Sequence, residues 1–205
     1  MSDTFKTITE ISEGLFKDKG SKFISFAIPI KNSTNIKEVL TEYKKRFFDA
    51  RHVCYAYMIG HERTNFRAND DGEPSGTAGR TILGQINSYQ LTNVLIIVVR
   101  YFGGILLGTG GLVSAYKQAA ADALEQASII EKTVDSELSI KFDYLLMNDV
   151  MRVIKEINPT ILSQKFEIEC SMDLSIRNQN FNTLQTKLSE IVGLKILSSD
   201  TESNL

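Results

Sequence analysis

The sequence predicts an α+β fold in two domains, and three observations carry that prediction. The chain has 205 residues, a comfortable length for two domains of ordinary size. Strand-like alternation and helical apolar stripes are interleaved along it instead of being grouped by type. Beyond residue 131 the pattern runs strand, helix, strand, strand, helix, strand, the split-βαβ or ferredoxin-like plan. The division is expected at 128–131, giving domains 1–129 and 130–205, although no Pro- or Gly-rich linker marks it.

In the first domain Phe5–Ile11 and Lys22–Ile30 alternate as strands, with Gly14 and Gly20 bracketing a turn region between them. A helix should follow, capped by Asn35 with Glu38 at the capping-box spacing. Ile36, Val39, Leu40, Tyr43 and Phe47 form its buried stripe. Lys44, Lys45 and Arg46 suit its C-terminal dipole and could also form a basic patch. Val53–Ile59 reads as a strand, and His61–Gly79 as a long polar loop of the kind that is usually functional or disordered. Arg80–Tyr89 reads as a short helix. Val94–Val99 is apolar without alternation, which marks a central strand covered on both faces. An alanine-rich helix with Leu112, Tyr116, Ala119, Ala120, Ala123, Leu124 and Ala127 inward closes the domain.

In the second domain the expected elements are strand 132–142, helix 145–157, strands 160–166 and 168–176, helix 180–191 and strand 194–198. Pro159 and Gly193 should stop the two helices. Only the polar tail 198–205 reads as disordered.

The net charge of −2 gives no global basic field of the kind that announces a nucleic-acid binder. Residues 1–130 carry 15 Lys+Arg and 13 Asp+Glu, and the remainder 8 and 12, so an anionic partner should prefer the first half. Cys54 and Cys170 stand in strand-like runs and read as buried reduced thiols. No segment has signal-peptide character or the apolar length of a membrane helix, so a cytoplasmic protein without membrane contact is expected.

Two glycine-rich segments carry the candidate chemistry. The first is Asp70-Asp71-Gly72-Glu73-Pro74-Ser75-Gly76-Thr77-Ala78-Gly79. Ser75 or Thr77 could cap the helix behind it, and such a helix start can hold an anion. The acids have three readings: they order the loop against Arg63, Arg67 or Arg100, they hold a divalent metal such as Mg²⁺, or they touch a partner directly. The EF-hand spacing is absent. The second segment runs from Arg100, Tyr101, Phe102, Gly103 and Gly104 to Gly108, Thr109, Gly110 and Gly111. It follows a central strand and opens a helix, as phosphate-binding loops do, yet matches neither the Walker pattern nor G-x-G-x-x-G. A guanidinium beside two aromatic rings suits single-stranded nucleic acid, and the alternative is that both rings fill the core. His52, Arg67 and Tyr116 are expected to support these loops. A Ser75–His52–Asp70 arrangement can be written down but lacks a nucleophile-elbow signature.

Asp49–His52, Ala56-Tyr57, the run 70–79, Val98–Gly104, Leu107-Gly108, Gly110–Val113 and Ala115-Tyr116 resemble the IMPACT family, most nearly its bacterial YigZ-like branch. The likeness covers about residues 15–125, and the following domain also fits the branch. Ile105-Leu106 stands where the family more often has Ile-Lys, so a basic group is missing. The resemblance implies an N-terminal domain like the second domain of ribosomal protein S5 and a C-terminal domain like a ferredoxin-like domain of elongation factor G. It also implies kinship with eukaryotic translational regulators. The expectation is a non-enzymatic regulator that contacts RNA, the ribosome or a translation factor, with no DNA specificity and no required cofactor. The alternative is an enzyme that binds a nucleotide or phosphorylated small molecule with Mg²⁺ at the acidic loop.

Overall fold

The computed structural model describes residues 3–200. Phe5–Lys132 forms one compact unit, and the chain from Thr133 onward, joined by Asp3 and Thr4, forms the other. This division falls three residues beyond the expected one, because β7 (Ile129–Thr133) turns back to pair with β1 (Thr4–Ile8).

The first unit is a five-stranded sheet in the order β2-β3-β6-β4-β5, antiparallel throughout. These strands are β2 (Ser12–Asp18), β3 (Ser21–Pro29), β4 (His52–Ile59), β5 (Asn65–Asn69) and β6 (Val94–Tyr101). Central β6 is buried on both faces, as its unbroken apolar run requires. Val94, Ile96 and Val98 join one core with α2 (Gly79–Ser88) and α3 (Gly108–Glu125). Leu95, Ile97 and Val99 join the other core, beneath α1 (Ser33–Arg46).

Three local expectations are corrected here. The region between Gly14 and Gly20 is strand β2, not a turn. Gly14 lies in that strand because α3 crosses it closely: a Cβ there would stand 2.5 Å from the Ala123 nitrogen. The turn itself is Lys19-Gly20, with positive φ at both residues (43° and 77°), the two-residue hairpin geometry that matches strand twist. The cap of α1 is Asn32, whose Oδ1 accepts from Asn35 N at 3.1 Å, so the helix begins before Asn35. Finally, the polar stretch 61–79 contains edge strand β5, in continuous register with β4 from Tyr55↔Asn69 to Ile59↔Asn65.

The second unit runs β8 (Asp135–Asp143), α4 (Met147–Ile157), β9 (Thr160–Lys165), β10 (Glu169–Arg177), α5 (Asn178–Ser189) and β11 (Lys195–Asp200). Its sheet order is β11-β8-β10-β9, antiparallel throughout. Leu138, Ile140, Phe142, Cys170, Met172 and Leu174 pack with Val150, Ile154, Phe181, Leu184 and Leu188. Asn158, at φ 57°, caps α4 before Pro159. Helix α5 ends at Ser189, so Gly193 closes the following turn and not the helix. Strand β11 reaches Asp200, beyond the start of the expected disordered tail, and 201–205 lie outside the described residues.

Candidate functional site

Loop 70–79 is held by its own acids, each turned to a different set of donors. Asp70 crosses the start of α2: its Oδ1 accepts from Gly79 N at 2.8 Å and Ala78 N at 3.0 Å, and its Oδ2 accepts from Gly76 N at 2.9 Å. Burial alone would raise this carboxyl's pKa, but the three amides outweigh it and hold the pKa below the usual value. Asp70, and neither Ser75 nor Thr77, therefore caps α2, and Thr77 Oγ1 instead donates to Pro74 O. The N-terminus expected to receive an anion from outside is filled by the protein's own carboxylate. Gly79 itself is buried, and a Cβ on it would stand 2.4 Å from Asn69 N.

Asp71, at φ 44°, pairs with Lys44 of α1 at 2.9 Å and accepts from Val53 N at 2.7 Å. Its carbonyl accepts from His52 Nδ1 at 2.8 Å. Glu73 points inward. Its Oε1 accepts from Arg100 Nη1 at 2.6 Å and Tyr116 Oη at 2.8 Å, with His52 Nε2 at 3.8 Å. The Cys54 thiol closes the cluster, its single S–H having Asp70 O at 3.0 Å and Tyr116 Oη at 3.3 Å as acceptors within reach. Burial pushes the Cys54 and Tyr116 pKa values upward, and neighbouring Glu73 adds to both shifts.

Arg100 is 5% exposed, and its Nε has no partner among the described residues. An open Arg–aromatic cluster is therefore not what forms. The guanidinium lies 5.5 Å from the Phe23 ring and 5.8 Å from that of Phe102, so one of its two rings is a core residue. Tyr101 alternates to the other sheet face, where its hydroxyl donates to Asp49. Of the three arginines expected to order the loop, only Arg100 does so. Arg63 turns to Asn87, and Arg67 is exposed on β5, away from the supporting role it shared with His52 and Tyr116. Among the described residues no group of three or more His, Cys, Asp or Glu is arranged to hold a metal ion.

The second loop stays open beyond its root. Gly103 is pinned: its N donates to Ser21 Oγ, and a Cβ on it would stand 1.9 Å from the Gly20 carbonyl carbon. Beyond it Phe102, Ile105 and Leu106 are 49%, 56% and 83% exposed. Helix α3 starts at Gly108, at φ 70°, with no side-chain cap, and nothing lies within 4 Å of a Cβ placed on Gly104, Gly108 or Gly110. Gly111 meets only the Leu107 side chain. Ile105 and Leu106 were not among the candidate site residues read from the sequence, although the structure exposes both. Their signal was available: two large apolar side chains inside a glycine run fit no strand or helix period.

Comparison with known proteins gives consistent likenesses. The Impact N-terminal domain family matches residues 19–124. IMPACT family member YvyE of Bacillus subtilis is 32% identical over 156 residues, 76% of this chain and 72% of that protein. IMPACT family member YigZ of Escherichia coli is 32% identical over 151 residues, 73% and 74% of the two chains. A crystal structure of a hypothetical protein covers 98% of this chain and 100% of its own, with a TM-score of 0.73 and 26% identity. The two-domain translational regulator Yih1 overlaps 60% of this chain and 47% of its own, at a TM-score of 0.36 and 22% identity, too loosely to argue from.

Proposed function

The chain belongs to the IMPACT family, and on that premise we propose that it is a non-enzymatic, translation-linked regulator that docks a protein of the translation machinery through loop 102–107. The translation link comes from the kinship of this family with eukaryotic translational regulators. The choice of a protein over RNA rests on one observation: the exposed tip is Phe102, Ile105 and Leu106, without a lysine or arginine among residues 101–111. Two of the three features that favoured RNA are engaged internally, Arg100 by Glu73 and the α2 terminus by Asp70; the third, the uncapped start of α3, stays open but has no basic side chain in the loop before it. Exposed apolar side chains beside an ordered polar network suit a protein interface, where a few buried anchors dominate affinity. The Cys54, Glu73, Arg100 and Tyr116 cluster then acts as a scaffold that fixes the root of the loop.

Co-sedimentation of the purified chain with ribosomes and with the ribosome-free translation-factor fraction tests this. Binding should survive a rise from about 50 to 200 mM salt, whereas a set of phosphate contacts would lose orders of magnitude in affinity over that range. Leu106→Asp should weaken binding at least about tenfold without altering the fold. Steep salt dependence with an unaffected Leu106→Asp variant would replace the protein interface with RNA contact, and no binding to either fraction would remove the proposal.

A further inference from the structure

We infer that the outer edge of β5 is a docking site for an extended, acidic segment of another protein, which would add a sixth strand to the first sheet. This surface is separate from the loop tip and stands independently of it.

The two edges of that sheet are treated differently. The β2 edge is closed by the protein itself: Asp122 Oδ2 of α3 accepts from Leu15 N at 2.7 Å, and Ser12 Oγ donates to Ala123 O at 2.7 Å. The β5 edge is guarded only by its short length and one charged side chain, Arg67. Asn65, Phe66, Arg67 and Ala68 are all exposed, the strand contains no Pro or Lys, and its pairing with β4 has no bulge. A continuous unpaired edge recognises another backbone in extended conformation.

The side chains then select the guest. Arg67 lies opposite Tyr57, on the sheet face that carries α1, and no described carboxylate lies within ion-pair distance of it. Phe66 lies opposite Met58 on the other face and is 56% exposed. Because a strand alternates, a guest would meet Arg67 with one set of side chains and Phe66 with the other. The matching segment carries acidic residues on one face and apolar residues on the other. A second copy of this chain is the poorer guest: pairing all five residues of β5 about their centre places Arg67 opposite Arg67.

The probe is the peptide acetyl-Thr-Val-Glu-Val-Glu-Val-Thr-amide, titrated against the full chain by fluorescence anisotropy, with backbone amide exchange read in parallel. The expected result is saturable binding that protects amides of residues 65–69. Binding should be at least about threefold tighter than for the same peptide with lysine in place of glutamate. Arg67→Glu should reverse that preference while leaving the circular dichroism unchanged. Equal binding of the two peptides, absent binding, protection confined to other segments, or a dimer of the chain alone that buries this edge would each overturn the inference.

Discussion

Glu73 Oε1 receives hydrogen bonds from a guanidinium on β6 and a phenol on α3, so a single carboxylate ties loop 70–79 to a strand and a helix of the first unit. Removing it strands Arg100, which is almost fully buried, without a counter-charge. Glu73→Ala should therefore cost about 3–5 kcal/mol in urea unfolding, with Arg100→Met in the same background recovering part of the loss. Additive effects of the two substitutions would show that the pair is not coupled. Asp70 gives a pH signature. Its folded pKa lies below the unfolded one, so its contribution is complete above the unfolded value of about 3.9 and fades as pH falls through the folded value. Asp70→Asn should flatten the acid side of the stability profile and leave the neutral side parallel to that of the parent, as measured by thermal melts from pH 7 to 2. The sequence named these residues but not their directions. Three acids beside small residues announce an ordered or binding loop, while the choice between inward and outward depends on Arg100, Tyr116 and Cys54, up to 46 positions away in the chain.

At the scale of elements, what was legible follows from whether burial or backbone contact sets the pattern. Strand β6, the stripe of α1 and the order of strands and helices in the second unit were readable because their apolar spacing records burial directly, while the end of α5 and the reach of β11 were not. Strands β2 and β5 were not. The first holds a glycine where α3 needs close approach, and the second is an exposed edge with no buried face to impose alternation. Helix α2 depends on a similar contact: Gly79 brings its first turn against the Asn69 backbone. Gly79→Ala should therefore destabilise the first unit by about 1–3 kcal/mol, although alanine favours helices generally. Gly84→Ala, in the same helix with open space around it, should be neutral or stabilising, and urea denaturation of the two variants makes the comparison. If both variants behaved alike, helix propensity and not the Asn69 contact would govern this turn.

The whole chain folds around separate cores. Those of the first unit lie on the two faces of its five-stranded sheet, and that of the second lies between its four strands and α4 with α5. Each is lined by side chains of its own unit, so each should set the opening free energy of its own amides. Leu174 is fully buried at the centre of the second core, and Leu174→Ala should remove about 2–5 kcal/mol there. Hydrogen exchange resolved by peptide should then show residues 136–142 and 170–176 exchanging at least about thirtyfold faster. Residues 94–99, at the centre of β6, should keep their parent rates, because none of their neighbours within the first unit has changed. Equal acceleration of 94–99 would mean that the chain opens as one cooperative body despite its divided cores, and stability lost in the second unit would then be felt at the Glu73 cluster.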